Sequence, residues 1–188
     1  MLRFTTFLEE GVNDPSIFKA VFLAGGPGSG KSFMVGKTAL TSFGMKLINS
    51  DPAFERQLAK AGLKATPDDI FTDKGQAART VAKTLTAKQM ALAVNGRLGL
   101  VIDGTGKDFN KISGQATKLK QLGYEVAMIF VNTDLETAIN RDKKRARTLG
   151  AKEVTGMWKD VQKNIGKFQN LFGNMMVIVD NSDGANYE

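Results

Sequence analysis

A chain of 188 residues suits one α/β domain with a substantial core, and 42% apolar with 24% charged residues argues against a disordered or membrane-embedded class. The absence of cysteine and histidine excludes disulfides, thiol nucleophiles, zinc sites of the usual type and histidine general bases. Catalysis must then rest on carboxylates, lysine, arginine, hydroxyls and an oxygen-liganded metal, and the net charge of +7 suits an anionic partner.

Residues 1–16 form an N-terminal extension: Phe4, Phe7 and Leu8 share a possible helical face, and Gly11, Asn13, Asp14 and Pro15 supply turn chemistry. No window approaches the ~18 apolar residues of a membrane span, and MLRFTTFLEE lacks a secretory core, so the expected location is cytoplasmic, away from membranes. The domain proper, 17–188, begins with an apolar strand, Ala20 to Ala24. It breaks into Gly25-Gly26-Pro27-Gly28-Ser29-Gly30-Lys31-Ser32, which fits GxxxxGK[ST] at every fixed position. The glycines let successive NH groups point into one concavity at the start of a helix, where a polyphosphate is the natural guest. Lys31 is expected to neutralise the β and γ phosphates of ATP, and the Ser32 hydroxyl to hold magnesium.

The helix should run from Lys31 to about Phe43, stopped by Gly44, and a second strand, Met45 to Asn49, delivers Ser50 and Asp51. Pro52 opens a helix closed by Gly62, and Thr66-Pro67-Asp68-Asp69 starts another, whose period through Ala77, Val81, Leu85, Gln89 and Leu92 reaches Asn95. Leu98 to Ile102 is an apolar strand ending in Asp103-Gly104-Thr105-Gly106-Lys107. A helix from Asn110 to Leu122, a strand from Glu125 to Val131 and a helix from Leu135 to Leu149 follow. The last carries the basic run 141–147. Val154, Trp158, Val161, Ile165, Phe168 and Phe172 predict one helix over 154–172, and Met176 to Val179 a final strand running into Asp180-Asn181-Ser182-Asp183-Gly184. Alternating strands and helices predict a five-stranded, mostly parallel sheet with helices on both faces and reactive groups at the carboxyl ends of its strands.

In that arrangement the glycine loop, Asp51 and Asp103 surround one cleft, with Thr105 and Lys107 facing it. Asp103 reads as a magnesium-shell carboxylate or as a loop cap. Asp51 reads as the base that takes a proton from an acceptor hydroxyl, or as a helix cap before Pro52. Arg141 and Arg145, one turn apart, read with Lys144 and Arg147 as a lid over the transferred phosphoryl or as a solvated basic helix end.

These motifs, GGPGSGKS, LINSD, LVIDGTGKD, GYEVAMIFVNTDLETAINRDKKRAR and VIVDNSDG, span residues 18–183. In order and spacing they resemble the P-loop kinases that include zeta toxins and phage-type polynucleotide kinases. The resemblance implies a P-loop NTPase fold with a helical lid at about 134–150. It also implies Asp51 as base, Arg141 and Arg145 as a γ-phosphate clamp, and Asn181 and its neighbours beside the adenine. Zeta toxins usually have glutamate, Gly-Thr and then arginine in the third-strand motif, where this chain has Asp103, Gly104, Thr105 and Lys107. Polynucleotide kinases tend to carry an arginine three residues after the base, where this chain has Phe54, with Arg56 nearby.

The expected function is a magnesium-dependent ATP kinase acting on a hydroxyl or phosphate of a nucleotide, nucleotide sugar or polynucleotide end, which makes nucleic acid one possible partner. The acceptor-side residues would be Asp51, Arg56, Thr105 and Lys107. Two alternatives use the same loop: an ATP-binding regulatory or assembly protein without phosphoryl transfer, and ATP hydrolysis coupled to motion. Whether a protein partner exists is left open.

Overall fold

The computed structural model describes residues 17–38, 40–145 and 148–185. The expected docking helix within 1–16 and the end of the basic run, Ala146 and Arg147, lie outside the described residues. In chain order the elements are β1 Lys19–Ala24, α1 Lys31–Lys37, β2 Lys46–Ile48, α2 Asp51–Lys60, α3 Pro67–Ile70, α4 Asp73–Asn95 and β3 Leu100–Asp103. They continue with α5 Phe109–Gln121, β4 Glu125–Asn132, α6 Leu135–Lys143, α7 Ala151–Gln162, α8 Ile165–Phe172, a short 3₁₀ turn and β5 Met176–Asp180.

The five strands are parallel in the order β2-β3-β1-β4-β5, where the sequence predicted a mostly parallel sheet. β1 lies at the centre and is buried along its whole length. Its side chains alternate between two cores as a pleated strand requires. Ala20, Phe22 and Ala24 meet Leu100, Ile112, Ala116, Met128, Phe168 and Phe172 on one side, while Val21 and Leu23 meet Leu40, Val101, Ile129 and Val131 on the other. Leu23 pairs with Asp103, and Ile48 with Ile102, so the tips of β1, β2 and β3 stand level and open at one end of the sheet. Among the described residues no helix is long and apolar enough to cross a membrane.

The helices depart from the sequence reading in four places. α1 stops at Lys37 instead of near Phe43, because the Thr38 hydroxyl donates to the Met34 and Val35 carbonyls and Leu40 then drops fully into the core. The expected helix from 66 to 95 is two. Thr72 caps α4 by accepting from the Gly75 amide, and a side chain at Gly75 would collide with the Asp69 and Ile70 carbonyls that end α3. The helix expected to reach Leu149 ends at Lys143, and the following loop is gathered by the buried Asp142 carboxylate, which accepts from the Leu149 and Gly150 amides. The helix expected over 154–172 is α7 and α8, parted at Asn164.

The buried face of α4 also differs from its large apolar residues. Val81, Leu85 and Leu92 are exposed, whereas Ala78 and Ala82 pack against Ala53, Phe54, Leu58 and Ile70. Small side chains there let α2 and α3 approach closely, and that contact outweighs the burial that Val81 and Leu85 would gain on the other face.

Candidate active site

The glycine loop leaves the buried tip of β1 and closes on itself before α1. Gly25, Gly28 and Gly30 have φ of 154°, 75° and 86°, a region costly for residues with a Cβ. Space closes the same positions. A Cβ at Gly28 would lie 2.5 Å from the Ala138 carbonyl oxygen, and one at Gly30 would strike the Asn181 amide nitrogen. The loop is therefore shaped by its walls as well as by its own torsions.

Three side groups outside the loop hold it. The Gly25 amide donates to the Thr105 carbonyl (3.1 Å), the buried Asn181 side chain donates to the Ser29 carbonyl (2.7 Å), and Arg141 reaches the Gly28 carbonyl (3.4 Å) while pairing with Asp183 (2.6 Å). Asn181 thus braces the loop from behind, and its half-buried and exposed neighbours Ser182 and Asp183 form the outer surface there. Pro27 and Ser29 are buried in the turn, and Gly26 packs near the backbone of Trp158, whose indole donates to the Thr133 carbonyl.

Lys31 begins α1 and folds over the loop, donating to the Gly25 and Gly26 carbonyls at 2.7 and 3.2 Å. Burial depresses its ammonium below the ordinary lysine value, Asp103 opposes that shift, Arg145 adds to it and Asp51 opposes it. The ordering matters for geometry, since all three charged groups bear on one ammonium. Arg145 lies beyond the end of α6 instead of on the expected continuous helical face, yet its charge still reaches Lys31.

Asp103 ends β3. One of its carboxylate oxygens accepts from Asn49 at 3.0 Å, and the other is buried with no hydrogen-bond partner among the described residues. Burial raises this carboxyl above the usual range, Lys31 pulls it down and Asp51 pushes it up. An unpartnered carboxylate oxygen beside the loop, together with the exposed Ser32 hydroxyl, suits a divalent ion that brings phosphate and water as its other ligands. Among the described residues there is no cluster of three acidic, histidine or cysteine side chains able to hold a metal alone, so the ion would depend on the nucleotide it accompanies.

Asp51 occupies the first turn of α2 and is exposed. The preceding Ser50 takes the cap position, and the Asp51 amide donates to the Asn49 side chain at 2.8 Å. Its carboxylate accepts no hydrogen bond among the described residues, so it is not occupied as a cap. Asn49 is a residue the sequence reading missed. It holds the Asp51 backbone through its oxygen and the Asp103 carboxylate through its nitrogen, setting the two acids against each other.

Asp51 lines a cleft of ≈ 120 Å³ with Ser50, Phe54, Arg79, Ala82 and Lys83. Arg56 is exposed on α2 and does not line it. Lys107 is also elsewhere. The Asn164 side chain donates to the Gly106 and Lys107 carbonyls, at 3.0 and 2.9 Å, and draws that segment toward α7 and α8, where Lys107 lines a separate cleft with Phe109 and Lys167. Thr105 stays beside the loop through its carbonyl.

The cation beside Asp51 is instead Arg79 of α4, whose guanidinium stands 4.9 Å over the Phe54 ring. Phe54 holds the position where polynucleotide kinases tend to carry an arginine, and here the guanidinium arrives from another helix. The signal lay in the small residues Gly75, Ala78 and Ala82, which mark the packed face of α4 and carry its one arginine beside them.

Comparison with known proteins places this geometry. The family model described as zeta toxin matches residues 9–183. A structure from the PezAT chromosomal toxin-antitoxin system of the human pathogen Streptococcus pneumoniae is similar at 16% identity and TM-score 0.66, covering 100% of this chain and 79% of that one. The Pnkp1/Rnl/Hen1 RNA repair complex contains a chain 15% identical with TM-score 0.63, covering 81% of this chain and 46% of that one. The AvrRxo1-ORF1:-ORF2 structure with ATP is 16% identical with TM-score 0.65, covering 93% of this chain and 58% of that one. This chain thus spans less than two thirds of the latter two, and at such identities the likeness is one of fold. No curated protein sequence matches. The family match covers nearly all of the chain, which belongs to the zeta toxin family and is a phosphotransferase of the P-loop kinase type.

Proposed function

We propose that the protein transfers the γ-phosphoryl group of magnesium-bound ATP to a hydroxyl or phosphate of a nucleotide, nucleotide sugar or polynucleotide 5′ end. For a hydroxyl acceptor, Asp51 takes the proton as the acceptor oxygen forms its bond to the γ phosphorus. The bond from that phosphorus to the β–γ bridging oxygen breaks, leaving ADP. The observation that carries this reading is the Asp51 carboxylate itself: uncommitted to any hydrogen bond among the described residues, fixed through its amide by Asn49, and close enough to act on the charges of Lys31 and Asp103.

The loop amides of Gly26, Gly28, Gly30, Lys31 and Ser32 and the Lys31 ammonium hold the β and γ phosphates, while the Gly25 and Ser29 amides are already paired within the structure and Pro27 has none. Turning from the Gly25 and Gly26 carbonyls to phosphate oxygens exchanges neutral acceptors for charged ones. Ser32 and Asp103 are the residues to hold magnesium, which would supply charge neutralisation at the phosphates. Arg141, already against the loop, and Arg145, whose charge reaches Lys31, clamp the γ phosphate as a lid over about 134–150 closes and excludes water.

The test is incubation with labelled ATP and a panel of nucleosides, nucleotides, nucleotide sugars and 5′-hydroxyl oligonucleotides. Transfer to at least one acceptor, dependent on Asp51, is the expected result. ATP binding without transfer to any of them would leave a nucleotide holder in place of a kinase.

A further inference from the structure

Asn49 is the first residue beyond β2, and the register that pairs Ile48 with Ile102 sets it level with Asp103 at the tip of β3. Level residues of neighbouring parallel strands share a face, so the two side chains meet. The Asn49 amide nitrogen donates to one Asp103 oxygen at 3.0 Å, while the Asn49 side-chain oxygen accepts from the Asp51 amide at 2.8 Å. Chemistry forces both directions: a backbone N–H can only donate, and an ionised carboxylate can only accept.

The half-buried Asn49 therefore serves two partners at once. Toward Asp51 it closes an Asx turn, the contact between a side-chain oxygen and the amide two residues on that leads the chain into α2. Toward Asp103 it occupies one oxygen and leaves the other buried and unpartnered among the described residues. The turn needs only a side-chain oxygen, which aspartate or serine would also supply. The contact with Asp103 needs a donor besides, and there ionised aspartate has none and serine is too short to serve both partners.

The two acids require a divider. Divalent cations favour sites with several carboxylates, and the charge of Asp51 already bears on Asp103. A carboxylate drawn onto such an ion has its lone pairs committed and no longer takes a proton from a hydroxyl. Free to converge, the pair would hold the ion and lose the base.

We propose that Asn49 is a positioning residue that keeps the two acids at separate tasks: it leaves Asp103 one oxygen for magnesium and ties Asp51 back toward the acceptor hydroxyl. This rests on the proposed roles of Asp51 as base and Asp103 as magnesium carboxylate, and adds the residue that makes those roles compatible. Among the described residues no three acids stand together, so the metal enters with its nucleotide. Asn49→Asp keeps the turn but sets a third carboxylate between the other two. Ion binding then no longer requires nucleotide, and it draws in Asp51.

The experiment titrates Mn²⁺ into the full chain without nucleotide, followed by electron paramagnetic resonance, beside single-turnover transfer from ATP to an acceptor that the wild type uses. Asn49→Asp is expected to bind Mn²⁺ about tenfold or more tightly than wild type. Its transfer is expected to fall about 10- to 100-fold. Adding Asp51→Asn to Asn49→Asp should return the Mn²⁺ affinity toward that of wild type. Asn49→Ser, which adds no charge, is expected to lose about tenfold in transfer with ATP affinity unchanged. Melting curves establish folding, and Asn49→Ser carries the test if Asn49→Asp is unfolded.

Transfer at the wild-type rate in folded Asn49→Asp or Asn49→Ser would reduce Asn49 to its turn and overturn the proposal. So would Mn²⁺ binding in Asn49→Asp no tighter than in wild type, or tight binding that survives Asp51→Asn. If the wild type transfers to no acceptor while the Mn²⁺ results hold, the kinase reading fails and the separation of the acids by Asn49 stands.

Discussion

The phosphate loop and the cleft that Asp51 lines differ in how far their polar groups are paired. In and around the loop many polar groups have an internal partner, Lys31 on loop carbonyls, Asn181 on Ser29, Arg141 on Gly28 and Asp183, the Gly25 amide on Thr105, while the Ser29 hydroxyl and one Asp103 oxygen have none among the described residues. On the proposed acceptor side the Asp51 carboxylate and the Arg79 Nε have none among the described residues. A loop whose guest is the same in every turnover gains from being held rigid in advance. A site that must distinguish one acceptor from others keeps its charges for the ligand, because a buried group left unpaired penalises the wrong molecule. The contrast teaches that substitutions on the nucleotide side should disturb structure and ATP binding together, and those on the acceptor side should disturb transfer with little effect on either.

The strongest way to break the contrast is Gly28→Ala. Its Cβ would lie 2.5 Å from the Ala138 carbonyl oxygen at a φ of 75°, so the loop must move away from α6. ATP affinity should fall about tenfold or more by calorimetry, and an unchanged affinity would show that the loop is not walled in.

Asn181→Ala should come next. It leaves the Ser29 carbonyl without its buried donor, a loss of about 1–3 kcal/mol, seen as a lower Tm together with weaker ATP binding. A fall in Tm alone would separate brace from binding.

Asp103→Asn should move stability the other way. Burial holds this carboxyl above its ordinary value of 3.8, so near neutral pH the folded protein keeps an ionised group that the unfolded chain carries more easily. That cost is present above the raised pKa and disappears as pH falls below the ordinary value. The variant should therefore melt above wild type near pH 7, with the gain shrinking in acid, while more magnesium is needed for transfer. Equal melting at both pH values would show that the buried carboxylate carries no such cost.

The smallest effect should be at Arg56→Ala. Exposed on α2 and outside the cleft, it should change kcat/KM by no more than about twofold.

Much of this was legible in the chain. The glycine loop announced itself through GxxxxGK[ST], and the strands through short apolar runs, because a central parallel strand is apolar on both faces. The tips of β2 and β3 followed from that topology, and with them the positions of Asp51 and Asp103. What escaped were features set by contacts between distant segments. The breaks before Asp73 and at Asn164 arise from a cap and a side-chain brace within stretches of unbroken helical period. Lys107 leaves the cleft because Asn164, far along the chain, holds its carbonyl. Arg79 enters because alanines, not the larger Val81 and Leu85, form the packed face of α4. Apolar periodicity reports the larger side chains, and here close helix packing favoured the smaller ones.

The central claim is that Asp51 acts on the acceptor and not on the nucleotide. Single-turnover transfer and ATP binding, measured side by side in Asp51→Asn and Lys31→Ala, test it most directly. The account predicts that Asp51→Asn binds ATP as wild type does and loses about 10²- to 10⁴-fold in transfer, while Lys31→Ala loses both. Transfer at the wild-type rate in Asp51→Asn, or loss of ATP binding in proportion to its loss of transfer, would contradict it.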